Sequence, residues 1–288
     1  MPTIDVDATS LEYTDQGTGQ PVVFVHGSLS DMRVWSSQAA VFASEYRAVT
    51  YSSRHYFPNE PVPAGVDIGH DVLVEDLAGL LTKLDLAPAH LVGQSSGAFV
   101  SMLLAHDRPD MVRSLVLAEP PALPVLGLDV PPKPPQLLRL FLRDPRTAFD
   151  VAKFGARGIR PTARAFKRDE DERGFKTFIT AAIGSETIAG WSDERMQQAR
   201  GNVGAFKAVL RAGMPPFGED EVRRIKAPSL LITGERSAPA LHRIVDKLEE
   251  LLPNAERVHI PNASHLMFED NPDAFNRAVL SFLQRHTD

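Results

Sequence analysis

An α/β architecture, a mostly parallel twisted sheet with helices on both faces and one helical insert, is what this sequence predicts, and three observations carry that reading. Short apolar runs bounded by turn residues recur along the chain, amphipathic helical patterns alternate with them, and the composition changes abruptly from Pro120 to Pro135.

In chain order, the segments around Thr3 to Asp7 and Leu11 to Thr14 alternate as an antiparallel edge hairpin does. Val22-Val23-Phe24-Val25 is short, apolar and β-branched, the pattern of a buried parallel strand, and His90-Leu91-Val92 and Leu115-Val116-Leu117 repeat it. Between them Leu73, Leu77, Leu80, Leu81 and Leu84 share one helical face. The rhythm resumes with the strand Leu230-Leu231-Ile232, a helix burying Leu241, Ile244, Val245, Leu248 and Leu252, and the strand Arg257-Val258-His259-Ile260. A last helix starts at Asn271-Pro272, an N-cap followed by proline at the first helical position, and buries Phe275, Val279 and Phe282.

Seven prolines between Pro120 and Pro135 cannot share one helix or a central strand, so a boundary falls there. The stretch that follows holds helical patterns without a buried strand and closes at Gly213-Met214-Pro215-Pro216. The predicted organisation is a core of residues 1–121 and 217–288 around a helical lid at 122–216.

The 288 residues are 43% hydrophobic and 24% charged, ordinary values for a folded globular chain. Net charge is −6, which argues against nucleic acid or an anionic membrane as partner and leaves a small molecule as the expected one. The chain contains no cysteine, excluding disulfides, thiolate catalysis and sulfur-based zinc sites and fitting a reducing compartment. Its N-terminal residues lack the pattern of a signal peptide, and no run is long enough to span a bilayer. A cytoplasmic location is the expectation.

Gly93-Gln94-Ser95-Ser96-Gly97 matches G-x-S-x-G and sits between the strand ending at Val92 and a helical segment through Leu103 and Leu104. That context is what an exposed nucleophile on a sharp strand-to-helix turn needs. His26-Gly27-Ser28 follows another buried strand directly, so backbone N–H groups of Ser28 and Ser96 are placed to converge on a carbonyl oxygen that becomes negative during attack. The His26 side chain itself reads as a hydrogen-bonded turn residue. A serine needs a base, and His265, in a loop between the strand ending at Ile260 and the final helix, is the best candidate of nine histidines. His106, His242, His259 and His286 fall within or beside regular elements.

These motifs, taken in order over essentially the whole chain, resemble the α/β-hydrolase superfamily of lidded serine hydrolases. The resemblance implies Ser95 as nucleophile and His265 as general base. It departs from the commonest pattern at the third member: the G-x-x-D turn after the late strand reads Gly234-Glu235-Arg236-Ser237, with Ser237 where aspartate is expected. A second placement, at the end of the preceding core strand, is filled by Glu119 in Leu117-Ala118-Glu119-Pro120, similar to some lipases and the zearalenone-type lactone hydrolases. Glu119 is therefore the expected acid and Glu235 its rival. The Asp-x-Arg-Gly turn common in the family is also replaced, by Ser52-Ser53-Arg54-His55, and is expected to be a self-packed loop.

The expected activity is hydrolysis of a carboxylic ester or lactone through an acyl-enzyme, without metal or cofactor. Gly17-Thr18-Gly19 precedes a strand and lacks the third glycine of a dinucleotide motif. Carbon–carbon bond hydrolysis, perhydrolysis, a ligand receptor and a cofactor-independent oxygenase are the alternatives on the same residues. Nine basic residues face two acidic ones between Arg139 and Arg168. They read as a solvated helix surface offset by Asp169 to Glu172, in preference to a surface attracting anions. Lid aromatics Phe141, Phe154, Phe175, Phe178, Trp191 and Phe206 are expected chiefly in the lid's own core, with a pocket-lining role as the alternative.

Overall fold

The computed structural model describes residues 1–7 and 9–287. Its eight strands are β1 (Thr3–Val6), β2 (Thr9–Gln16), β3 (Pro21–Val25), β4 (Arg47–Tyr51), β5 (Ala89–Gln94), β6 (Val112–Ala118), β7 (Ser229–Gly234) and β8 (Ala255–Ile260). They form one sheet in the order β1-β2-β4-β3-β5-β6-β7-β8. β1 and β2 pair antiparallel, as does β2 with β4, and the six strands from β4 to β8 are parallel. The strand order reverses between β3 and β5, so a crevice opens at their carboxyl ends, where ligands of such sheets bind.

The central strands read as continuous apolar runs because both faces are covered. Alternate residues serve opposite faces. Val23, Val25, Leu91, Leu115 and Leu117 join one core with α2 (His70–Lys83), α3 (Ser96–Asp107) and α12 (Pro239–Leu251). Val22, Phe24, Val92, Val116 and Ile232 join the other with α1 (Ser36–Phe42), α13 (Met267–Asp270) and α14 (Pro272–Gln284). Asn271 caps α14, its side chain accepting from the Ala274 N–H. Helix α3 is buried from Ser96 to Ala105, which is why its sequence lacks an amphipathic pattern.

Between β6 and β7 the described residues contain helices and no strand: α4 (Pro134–Arg143), α5 (Pro145–Phe154), α6 (Arg160–Phe166), α7 (Asp171–Ala182), α8 (Ser185–Ala189), α9 (Asp193–Gly201), α10 (Val203–Ala212) and α11 (Glu219–Arg224). A π-helical turn, Gly155–Ile159, joins α5 to α6. Phe166, Phe175, Ile179 and Phe206 form a separate apolar cluster that also takes in Leu29 from the loop after β3. The insert is further tied to that loop by Asp31, fully buried, which accepts from Asn202 Nδ2 at 2.9 Å, Gln198 Nε2 at 3.1 Å and Arg33 Nε at 2.8 Å. Burial alone would raise its pKa, but hydrogen bonds from Arg33, Asn202 and Gln198 outweigh it and hold the carboxyl below its ordinary range. No described helix is long and apolar enough to cross a membrane.

Candidate active site

Ser95 stands between β5 and α3 with φ 52° and ψ −121°, a left-handed conformation that a non-glycine residue adopts only at a cost of about 1–3 kcal/mol. Its neighbours make the turn possible. A Cβ on Gly93 would lie 2.6 Å from the Ala98 backbone, and one on Gly97 would lie 2.2 Å from the Val25 carbonyl oxygen, so only glycine fits either place. The turn is anchored by the Ser95 N–H donating to the Ala118 carbonyl at 2.8 Å.

Glu119 follows that same Ala118, at the end of β6, and also has positive φ, 48°. Its side chain is fully buried, and both oxygens are engaged. Oε1 accepts from the Gly234 backbone N–H at 3.0 Å, and Oε2 accepts from His265 Nδ1 at 2.6 Å. With Nδ1 donating, the His265 ring presents the lone pair of Nε2 as a proton acceptor. The backbone of His265 is held in turn by Gln94, whose Nε2 donates to its carbonyl at 3.2 Å. Residues at the ends of β5 and β7 and just past the end of β6 thus together fix His265.

Ser95, Ser96, Ser28 and His265 all border one cavity of about 120 Å³, so the predicted nucleophile, base and oxyanion-hole residues are brought to a common space. Phe154, Phe178, Phe206, Val209 and Leu241 make most of its walls apolar. Of the six aromatics singled out in the insert, Phe154, Phe178 and Phe206 therefore line it, Phe175 is buried in the insert's own cluster, and Phe141 is exposed. Trp191 lies in a neighbouring cleft with Ser95 and His265, its ring covered by the Arg195 guanidinium at 4.4 Å.

Glu235 is not brought to the histidine. It is exposed, and its carboxylate accepts from the Asn262 backbone N–H at 2.7 Å. Ser237 is buried one turn away, its Oγ without a partner among the described residues. The His26 ring braces the loop after β3: Nδ1 donates to the Gly27 carbonyl at 2.9 Å and Nε2 accepts from the Ser53 N–H at 2.9 Å. Tyr56 packs edge-on against it at 4.9 Å, and Arg54 is ion-paired to Asp76, so the Ser52–Pro58 segment is self-packed.

One polar group in the cavity escaped the sequence reading. His70, at the start of α2, borders the same space, is buried against Phe99, and its Nδ1 has no partner among the described residues. Burial pushes its pKa down to about 4, with the Gly213 backbone acting weakly the other way, so at neutral pH the ring is uncharged. The signal available in sequence was its place at a helix start between β4 and β5. Among the described residues no group of three or more histidine, aspartate or glutamate side chains is placed to hold a metal ion.

The model of the alpha/beta hydrolase family matches residues 22–278, which take in the six parallel strands and the insert just described. The chain belongs to the alpha/beta hydrolase family. Its relatives carry different names. It is 28% identical over 286 residues to the non-heme chloroperoxidase CPO-A1 of Kitasatospora aureofaciens, covering 97% of this chain and 98% of that protein. Among solved structures it is similar to a thermophilic esterase from Thermogutta terrifontis, with TM-score 0.77, 21% identity and coverage of 100% and 99% of the two chains. It is also similar to the enol-lactonase from Burkholderia xenovorans LB400, with TM-score 0.68, 20% identity and coverage of 98% and 100%. At those identities the structural likenesses speak for the fold.

Proposed function

We propose that this alpha/beta hydrolase cleaves a carboxylic ester or lactone through an acyl-enzyme formed on Ser95. The observation that carries the reading is the His265 Nδ1 to Glu119 Oε2 contact of 2.6 Å, made beside a strained serine at the edge of an apolar cavity. Glu119 fixes the imidazole tautomer so that Nε2 takes the proton as Ser95 Oγ attacks the carbonyl carbon. The resulting oxyanion is held by the backbone N–H groups of Ser28 and Ser96, each such donor being worth about 10²- to 10³-fold in rate. Collapse returns the proton from His265 to the leaving alkoxide. Water, deprotonated by the same nitrogen, then releases the acid and restores Ser95. In a lactone the leaving alkoxide stays tethered to the acyl group, and the product is a hydroxy acid.

Gly234 has a part in this scheme through its N–H, which occupies the oxygen of Glu119 that does not face His265. With one oxygen held by the backbone, the carboxylate has a single orientation toward the ring. A buried carboxylate is costly unless its oxygens are hydrogen-bonded, and each oxygen of Glu119 accepts a bond.

A second reading, perhydrolysis, is favoured by the likeness to a protein named as a non-heme chloroperoxidase over 97% of this chain. Hydrogen peroxide would replace water as the nucleophile that resolves the acyl-enzyme, giving a peracid and regenerating Ser95 with the same proton transfers. Steady-state rates on a panel of acyl esters, lactones and vinylogous diketones, with and without hydrogen peroxide, test the two. Ester or lactone turnover that disappears in Ser95→Ala supports hydrolysis, and peracid formation exceeding acid formation supports the second reading. Turnover of diketones alone contradicts both.

A further inference from the structure

The nine basic residues between Arg139 and Arg168 were expected to be offset by the acidic run that follows, and the structure removes that offset. Asp169 and Asp171 both pair with Lys207, Glu170 with Arg173, and Glu172 with Lys176 and Arg200. The two acids inside the stretch are engaged as well. Asp150 accepts from Arg243 at 3.0 Å, and Asp144 caps α5 by accepting from the Thr147 N–H at 3.0 Å. Among the described residues, eight of the nine cations have no ion pair, the exception being Arg143 at 3.9 Å from Glu219. Elsewhere in the molecule paired cations such as Arg47, Arg54 and Arg257 are the rule.

These cations have an arrangement. Helix α5, the π turn and α6 run on continuously; Arg146 and Lys153 share one face of α5, Arg160 and Arg164 share one face of α6, and Arg157 lies in the turn between them, all exposed. Phe149 lies between Arg146 and Lys153 on that face of α5, 64% exposed. The adjoining helix α4 exposes Leu138 (59%), Phe141 (54%) and Leu142 (77%), at the i, i+3, i+4 spacing of one face. Apart from Met1, these four are the most exposed large apolar side chains among the described residues. So the uncompensated charge and the uncovered apolar surface both lie on the run of helices from α4 to α6, and they meet on α5.

We propose that this α4–α6 face docks on an anionic lipid bilayer, its leucine and phenylalanine side chains entering the headgroup layer while these cations pair with lipid phosphates. Charge complementarity selects an anionic surface, and the apolar side chains select lipid over other polyanions, since a phosphodiester backbone gives them nothing to bury against. The overall charge of −6 does not oppose this, because attraction at a surface is governed by charge within about one Debye length. Lys153 and Arg157 line a groove of about 660 Å³ that shares Phe154, Ala182 and Ala240 with the Ser95 cavity. A docked protein would thus hold that groove beside the membrane, which fits uptake of apolar molecules from it.

Flotation of the full chain with vesicles of phosphatidylcholine, with and without phosphatidylglycerol, tests the proposal without reference to catalysis. Expected is co-flotation only with phosphatidylglycerol, weakening with salt and falling at least about tenfold in each of the double variants Leu142→Ser/Phe149→Ser and Arg146→Glu/Arg160→Glu. All four positions are exposed, and unchanged melting temperatures establish that the variants fold. Absence of co-flotation at low salt overturns the proposal. Binding to heparin and vesicles alike, indifferent to Leu142→Ser/Phe149→Ser, overturns it in favour of a general polyanion site. Self-association by light scattering that this variant abolishes, without flotation of the wild type, overturns it in favour of an interface between copies.

Discussion

β6 and β7 lie side by side in the sheet, and each runs into a glutamate at its carboxyl end: Ala118-Glu119 and Gly234-Glu235. The first carboxylate is turned inward by a positive φ, is fully buried, and accepts from His265 and Gly234. The second is exposed and caps the Asn262 N–H. The same residue type in nearly the same sheet position therefore does different work. What separates them is backbone direction at one residue together with the donors waiting on each side. The two turns are also coupled, because the Gly234 N–H that precedes Glu235 is spent on Glu119.

The largest effect expected from breaking this asymmetry is at Glu119. Glu119→Gln should lower kcat for any ester by about 10⁴-fold, because an amide no longer enforces the tautomer in which His265 Nε2 is free to accept a proton. Near-isosteric replacement leaves the fold intact, and circular dichroism alongside the rate measurement separates the two effects.

The histidines sharpen the comparison from another direction. His265 has a carboxylate hydrogen-bond partner, whereas burial lowers both His70 and His90 to about 4, outweighing the Gly213 backbone and Asp71 at His70 and reinforced by Arg113 and His286 at His90. An unfolded histidine titrates near 6.5, so the unfolded chain binds more protons between those values. The stability these rings contribute is whole above about pH 6.5 and is lost as pH falls toward 4, by up to about 3 kcal/mol for each. Thermal melts across that range should show a falling Tm, and replacing His70 with Phe should flatten the slope. A pH-independent Tm would contradict the burial assigned to them.

A smaller, constructive effect is expected at Ser237, whose N–H donates to the Gly234 carbonyl at 3.1 Å and whose Oγ has no partner among the described residues. Adding Ser237→Asp to Glu119→Gln places a carboxylate back beside Gly234 and should recover at least tenfold of the lost kcat. Smallest of all, Glu235→Gln should change kcat less than about twofold and stability by under about 1 kcal/mol, as suits an exposed hydrogen bond.

Much of this contrast was legible before the structure. The alternation of apolar strands with helices fixed the architecture, and a serine between two glycines at a strand end marked the turn. Glu119 was readable from the resemblance to relatives that carry the acid at the end of the preceding core strand, once Ser237 stood in the commoner position, although Glu235 remained its rival. His70 was not, since a histidine within an amphipathic helix start gives no hint of which cavity it borders. Asp31 was equally silent: its partners Gln198 and Asn202 lie more than 160 residues away, and only the docking of the insert brings them together. The partners of Asp169 to Glu172 were not legible either, because their pairing with Lys207, Arg173, Lys176 and Arg200 is a tertiary fact.

The central claim, that Glu119 acting through His265 activates Ser95, is reached most directly by the rate of fluorophosphonate labelling followed by intact mass. Wild-type protein should acquire a single adduct, mapped to Ser95 and absent in Ser95→Ala. Glu235→Gln should label at the wild-type rate, and Glu119→Gln should label at least about a hundredfold more slowly. Equal labelling of wild type and Glu119→Gln, or slow labelling of Glu235→Gln alone, would contradict the assignment.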